Sequence, residues 1–216
     1  MKTREVNEQE VVVLKDVNLD INEGDFLSLL DLGGGEGTHL LNIIGCLDLP
    51  TRGEVYFDEK NLNELNENEV TKLRLANIGF IFKQPFLIPT LNVKENVELL
   101  MKEAKVGKEE REKRIMALLE AVGLSSKADY YPGQLTANEV KSVSVARALA
   151  NNPRIIITND AKGEMSNGET IMDFLRKINK ETGVAVVLAT NDTDVVNETE
   201  KAILIKTDKT VVEKQT

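Results

Sequence analysis

Cysteine and long apolar segments are almost absent from this chain, and each absence narrows the class of protein. Cys46 is the single cysteine in 216 residues, which excludes an internal disulfide and a cysteine-rich metal site. No apolar run approaches the ~18 residues that span a bilayer. The charged N-terminal segment MKTREVNEQE also lacks the apolar stretch of a signal peptide. These absences predict a cytoplasmic protein that does not itself span a membrane.

Basic residues are scarce as well. Lysine and arginine total 27 against 36 aspartates and glutamates, so the formal net charge is −9. Nucleic-acid backbones and anionic membrane surfaces repel an acidic chain, and neither is expected as its partner. A nucleotide is also an anion, so a phosphate pocket in this chain needs hydrogen-bond donors concentrated at one place.

Apolar segments that suit strands alternate with segments of helical periodicity. Phe26–Leu30 is a near-continuous apolar run typical of a buried strand. A glycine cluster, Gly33–Gly37, follows it and precedes a helix with apolar residues over Leu40–Leu47. This order indicates a parallel α/β sheet. The predicted strands are Val11–Leu14, Val17–Ile21, Phe26–Leu30, Gly53–Phe57, Ile78–Phe82, Ile155–Thr158, Val184–Thr190 and Ala202–Lys206, with Val211 and Val212 closing a hairpin.

The middle of the chain, from Asn92 to Ala150, is almost entirely helical in pattern. A proline-bounded elbow, Pro85–Pro89, opens this region, and its last helix is predicted over Thr136–Arg147. The chain is therefore predicted to form a single domain over residues 1–216, with a core of residues 1–84 and 152–216 and a helical subdomain of residues 85–151.

Three long segments, Leu40–Asp58, Ile78–Leu99 and Val145–Ile157, resemble the ATP-binding subunit of ABC transporters, and most closely the subfamily of lipoprotein-release and macrolide-export systems. The resemblance runs over nearly the whole chain in order and spacing. It implies an ABC-type α/β fold: a P-loop NTPase-like core with a parallel sheet, a small antiparallel β-subdomain and a helical insertion subdomain. It also implies two such domains that clamp two ATP molecules and drive a membrane permease.

The phosphate loop of that family, G-x-x-x-x-G-K-[ST], aligns with residues 31–38. Asp31 and Glu36 stand at the two motif glycines, Gly37 stands at the lysine, and Thr38 keeps the hydroxyl of the magnesium-ligand position. An ion pair at 4 Å is worth ~4 kcal/mol at an effective dielectric of ~20. A helix N-terminus offers only ~0.3–2 kcal/mol. Repulsion is therefore expected to outweigh attraction for a phosphate at this loop.

The other family motifs are altered too. Asn159 and Asp160 stand where the resemblance implies a magnesium-binding aspartate and a general-base glutamate, and Asn191 stands at the switch histidine. The signature L-S-G-G-Q reads L-T-A-N-E at Leu135–Glu139, where Glu139 adds a further negative charge. Lys83 replaces a glutamine. It either restores a cation near the γ-phosphate or is a solvated lysine at a loop edge.

The N-terminal segment departs from the family pattern as well. The residues ahead of Val11 are expected to begin too late to supply the family's first strand, and Arg4 stands where an adenine-stacking aromatic is expected. Cys46 lies among apolar neighbours and is predicted to be a buried small hydrophobe.

His39, the one histidine, admits two interpretations. With Asp31, Glu36 and Asp160 it offers ligands for a hard cation. The favoured alternative places His39 in the first turn of a helix with no metal.

These observations lead to a hypothesis in which no catalytic, nucleotide-binding or metal-binding residue is assigned and no cofactor is expected. The chain is then a catalytically degenerate ABC-type subunit, a monomer or weak homodimer, that docks on an integral-membrane permease. The elbow around Phe86 suits that docking, since in the family it lies beside the groove for a permease helix; ordinary subdomain packing is the other explanation. The alternative function is an ABC transporter ATPase with residual ATP and magnesium binding that energises export.

Overall fold

The computed structural model describes residues 1–6, 9–31, 35–206 and 208–214. Strands and helices alternate over most of these residues. The strands are β1 (Lys2–Val6), β2 (Gln9–Leu14), β3 (Phe26–Asp31), β4 (Tyr56–Phe57), β5 (Lys60–Asn61), β6 (Ile78–Ile81), β7 (Ile155–Thr158), β8 (Ala185–Thr190), β9 (Lys201–Ile205) and β10 (Val211–Lys214). The helices are α1 (Glu36–Ile44), α2 (Glu67–Asn77), α3 (Val93–Glu103), α4 (Lys108–Ala121), α5 (Ala137–Ala148), α6 (Ile171–Thr182) and α7 (Thr193–Asn197).

A six-stranded sheet in the order β10-β9-β3-β8-β7-β6 forms the centre of the molecule. The strands from β9 to β6 are parallel, and β10 closes an antiparallel hairpin with β9. The predicted parallel α/β sheet and the hairpin at Val211 are confirmed. Because the central strands are parallel, the carboxyl ends of β3, β6, β7 and β8 all lie along one edge of the sheet.

Two small antiparallel pairs, β1 with β2 and β4 with β5, complete the β structure of the described residues. The prediction that the first strand is missing is wrong, because β1 pairs with β2 along its whole length. Lys2 and Thr3 are half-buried and Arg4 and Glu5 are exposed, so positions 2–5 of β1 carry no apolar pattern and the strand depends on the backbone ladder. Arg4 lies opposite Val11 in this ladder and is exposed.

Two further strand predictions need correction. Val17–Ile21 is an irregular connection whose side chains Val17, Leu19 and Ile21 pack, partly buried, against the sheet, so their alternation reflects burial without strand pairing. The strand predicted over Gly53–Phe57 shrinks to the two residues of β4, because Gly53 turns the chain with a φ of 96°.

The helical region shares its apolar core with the sheet. Val97, Met101, Ile115, Leu119 and Val143 of α3, α4 and α5 are fully buried in one cluster that also contains sheet residues. The helix predictions over this region are confirmed, with Thr136 as the N-cap of α5. The boundaries between the core and the helical subdomain, after residues 84 and 151, stay a prediction.

Helix α5 lies very close to the edge strand β6. A Cβ atom added at Gly79 would lie 2.4 Å from the carbonyl oxygen of Ala148, so only glycine permits this approach. The contact fixes α5, and with it Lys141, against the edge of the sheet. In the described part of the chain, no helix combines the length and apolar character needed to cross a membrane.

Candidate functional site

A cleft of about 490 Å³ lies at the carboxyl edge of the parallel sheet, which is the usual ligand position in open α/β folds. We call it the edge cleft, and its volume falls in the ordinary range for ligand sites of ~300–1,000 Å³. It brings together the end of β3, the first turn of α1 and the loops after β6, β7 and β8. The lining residues are Asp31, Gly35, Gly37, Thr38, Lys83, Asn159, Asp160, Ala161, Lys162, Ala189, Thr190, Asn191, Asp192 and Val195.

The start of α1 forms one wall of the edge cleft. The backbone N–H of Gly37 donates a 2.9 Å hydrogen bond to Oδ2 of Asp31, so a carboxylate of the chain itself already occupies this amide. Thr38 is exposed beside it, and its hydroxyl is available to a ligand. Of the predicted glycine loop, Gly33 and Gly34 lie outside the described residues.

Glu36 does not add its charge to the edge cleft. Its side chain is buried and forms an ion pair with Lys209, which lies in the turn between β9 and β10. From sequence, Glu36 is expected to be an unbalanced negative charge facing a phosphate, whereas the fold places Lys209 against it.

Asn159 and Asp160 follow β7 and face different partners. The Asn159 Oδ1 atom accepts a 2.9 Å hydrogen bond from the backbone N–H of Lys83, which ties the ends of β6 and β7 together. Asp160 is 8% exposed, and its Oδ2 lies 2.9 Å from the Lys141 ammonium. The Lys141 contact lacks the alignment of a regular hydrogen bond, so charge attraction is what holds the Asp160 carboxylate.

Lys83 and the ion pair of Lys162 with Asp192 supply further charged groups to the edge cleft. Lys83 is exposed at the edge cleft, and among the described residues no acidic or acceptor group contacts its ammonium. Lys162 and Asp192 both line the cleft and form an ion pair with each other. Their hydrogen bond raises the pKa of the Lys162 ammonium and lowers the pKa of the Asp192 carboxyl. Asn191, beside them, presents an exposed amide.

The donor set of the edge cleft does not fit a resident metal ion. Within the described ranges no three histidine, cysteine or acidic side chains are grouped for a cation. His39 is half-buried in α1 and does not line the edge cleft, while Glu36 and Asp160 are paired with lysines. The carboxylates that Mg²⁺ prefers are therefore already engaged.

The altered signature segment forms a helix cap. Thr136 and Glu139 make a reciprocal capping box at the start of α5, with the Thr136 N–H donating to Glu139 Oε2 at 2.9 Å. Glu139 also accepts a 2.6 Å hydrogen bond from Lys127. That hydrogen bond is the main reason why the pKa of Glu139 lies below its usual value. Neither residue lines the edge cleft.

Several lysines that shape the site went unrecognised in the sequence. Three carboxylates that the sequence leaves without partners are neutralised by lysines: Glu139 by Lys127, Asp160 by Lys141 and Glu36 by Lys209. No local sequence pattern predicts these pairs. Lys162 and Asp192 had a signal, since each follows the end of a parallel strand and such ends meet at one edge. Cys46 is buried as predicted, and burial raises the pKa of its thiol to about 11.

Comparisons with known proteins agree with this architecture. A family model described as ABC transporter matches residues 14–162, more than half of the chain. The ABC transporter ATP-binding protein MJ0796 of Methanocaldococcus jannaschii is 42% identical over 95% of this chain and 90% of its own length. The macrolide export ATP-binding/permease protein MacB of a Shewanella species is 34% identical over 94% of this chain but only 31% of that protein.

Solved structures of MJ0796 superimpose closely on the chain. A dimeric structure of MJ0796, described as a bacterial ABC transporter cassette, gives a TM-score of 0.88 and covers 99% of this chain and 95% of that one. A second dimeric structure, described as a post-hydrolysis state bound to ADP and Pi, gives a TM-score of 0.86 with the same coverage. The α/β fold with a mixed sheet, a small antiparallel β-subdomain and a helical insertion is thus the fold of these cassettes.

Proposed function

We propose that this chain, which belongs to the ABC transporter family, is a transporter subunit that holds nucleotide phosphates weakly in the edge cleft and hydrolyses ATP slowly. The observation that carries the proposal is the convergence of Thr38, Lys83 and Asn191 at one cleft of ligand size. The relative MJ0796, with ADP and Pi bound in one of its structures, supports a nucleotide as the ligand.

Weak binding follows from the charges around the edge cleft. Three aspartates and two lysines line it, and lysines pair with Asp160 and Asp192. Lys83, whose ammonium has no acidic partner among the described residues, attracts a phosphate, whereas Asp31 repels it and occupies the Gly37 amide. Attraction and repulsion therefore nearly balance, in place of the net repulsion that the sequence argument predicted.

Slow hydrolysis follows from the side chains that face the cleft. Asn159 and Asn191 are amides and cannot exchange a proton with an attacking water. Asp160 stands at the position that the family resemblance implies for the general base, and the Lys141 ammonium holds its carboxylate in an ion pair. General acid–base catalysis contributes ~10²–10⁴-fold. We expect turnover to be lower by about that factor than in a cassette with an unpaired base.

A second candidate function, favoured by a separate observation, is a non-hydrolysing subunit that binds a permease. Phe86 is 63% exposed and Ile88 37% exposed in the elbow ahead of α3, where Leu87 anchors the segment in the core. The Arg147 guanidinium donates to the carbonyls of Pro85 and Phe86 and holds the elbow in place. A rigid elbow with two outward apolar side chains suits an amphipathic helix of a membrane partner.

Under either function, we expect the chain to be bound to a permease at the cytoplasmic face of a membrane. We also propose that the chain dimerises. The capped signature lacks the glycines that the resemblance implies for contact with a partner's nucleotide, so we expect the dimer to be weak. Sedimentation velocity with and without ATP tests this expectation, and a tight dimer that forms only with ATP contradicts it.

The decisive experiment measures ATP binding by calorimetry and phosphate release on the same protein. Saturable binding with slow phosphate release supports the proposal. Binding without release favours the non-hydrolysing subunit, and the absence of binding at millimolar ATP refutes the nucleotide site.

Matched variants guard against a contaminating ATPase. Lys83→Gln and Thr38→Val alter the edge cleft and are expected to abolish the measured release. Lys113→Gln removes the same charge from an exposed position on α4 and should leave it unchanged. Equal release by all three variants assigns the activity to a contaminant.

A further inference from the structure

We infer that the edge cleft binds the phosphates of its ligand without a divalent cation, with Lys83 supplying the positive charge. The inference rests on the proposed function and names the ionic form of the ligand: a free nucleotide di- or triphosphate in place of its magnesium complex. What supports this inference is the set of partners that each charged group of the cleft already has.

The carboxylates of the edge cleft are already engaged by groups of the chain. Asp31 accepts the Gly37 N–H at 2.9 Å, Asp160 lies 2.9 Å from Lys141, and Asp192 pairs with Lys162. A magnesium ion demands oxygen ligands in near-octahedral geometry and gives up its water reluctantly. To ligate it, these carboxylates would have to leave their partners.

The neutral side-chain oxygens of the cleft provide few free ligands for a cation. Asn159 Oδ1 accepts the Lys83 N–H at 2.9 Å, which leaves the Asn159 amide N–H₂ as its unused polar group. That group and the amide of Asn191 can donate to phosphate oxygens. Thr38 offers a hydroxyl that can also donate. The unengaged groups are thus mostly donors, which match an anion better than a metal.

Lys83 supplies the charge that a metal would otherwise supply. Its ammonium is exposed at the cleft and, in the described part of the chain, contacts no acidic or acceptor group. The hydrogen bond from its backbone N–H to Asn159 fixes the position from which this side chain extends. Free ADP carries more negative charge than its magnesium complex and interacts more strongly with a single ammonium.

The test is a calorimetric titration of the whole chain with ADP in two buffers of equal ionic strength, one with EDTA and one with excess magnesium. We expect a Kd in EDTA that equals the value in magnesium or is up to ~10-fold smaller. A Kd at least twofold smaller in magnesium overturns the inference and leaves the proposed function standing. Absence of binding in both buffers refutes the proposed function itself.

Two substitutions sharpen the test. Lys83→Gln should weaken ADP binding in EDTA by ~10-fold, while the control Lys113→Gln should change it less than twofold. Asn159→Asp keeps the acceptor for the Lys83 N–H but adds a carboxylate, so it should weaken binding in EDTA and make magnesium favourable. Unfolding temperatures confirm that each variant is folded. An Asn159→Asp protein with the same magnesium dependence as the parent contradicts the assignment.

Discussion

Replacing Asp31 by asparagine should strengthen binding of a nucleotide phosphate at the edge cleft. Asp31 ends β3, and its carboxylate accepts the Gly37 N–H at the start of α1. Asparagine keeps an oxygen of similar reach for this hydrogen bond, so the local backbone should persist. The substitution removes one negative charge from the wall that faces the ligand.

The size of the effect follows from Coulomb's law. A phosphate oxygen that competes for the Gly37 amide would lie within ~4–6 Å of the Asp31 carboxylate. Two like charges at that separation repel by ~3–4 kcal/mol at an effective dielectric of ~20 and by ~1 kcal/mol in water. Asp31 is half-buried and the cleft is open, so we expect ~1–2 kcal/mol, which corresponds to ~5–30-fold tighter binding.

Calorimetry with ADP at two salt concentrations measures this effect. The gain should shrink in high salt, because salt screens charges at a solvent-open site. Asp129→Asn serves as the control, since Asp129 is exposed and lies outside the edge cleft. If Asp31→Asn binds ADP no more tightly than Asp129→Asn does, electrostatic repulsion at this loop is not what limits affinity.

Four further predictions concern stability and reactivity. Gly79→Ala should destabilise the fold by ~1–3 kcal/mol in urea, because its Cβ meets a backbone carbonyl at 2.4 Å; Gly107→Ala, with open space, should stay within ~0.5 kcal/mol. Thr136→Ala should cost ~1 kcal/mol. Because the pKa of Glu139 is lowered, its stabilisation is present above pH ~4.5 and disappears on acidification, so Glu139→Gln should cost stability only above that pH. Cys46, with a pKa of about 11, is only ~0.1% ionised at pH 8 and should resist iodoacetamide until unfolding; a rate like that of a free thiol contradicts its burial.

The strands of the sheet could be predicted because burial on both faces selects continuous apolar runs. Phe26–Leu30 and Ile155–Thr158 differ from the observed strands by one residue at most. The position of the cleft also follows from sequence, since the ends of parallel strands meet. β1 could not be predicted this way, because residues 2–5 are polar and the order of the strand comes from backbone pairing.

The charge balance of the site could not be predicted from sequence. Lys209 pairs with Glu36 across 173 positions of the chain, and Lys141 reaches Asp160 only because α5 packs closely on β6. A lysine side chain is long and flexible, so its partner depends on tertiary packing and leaves no local pattern. The repulsion expected from sequence is therefore larger than the repulsion that the paired charges of the fold leave for a phosphate.

The most direct test of a retained phosphate site is an amide NMR titration of the whole chain with ADP. We predict saturable shift changes concentrated at Gly37, Thr38, Lys83 and Asn191, all of which line the edge cleft. The amide of Gly133, in a short turn outside the cleft, should not move. Shifts that spread evenly over the chain, or none at millimolar ADP, would contradict a phosphate site in the edge cleft.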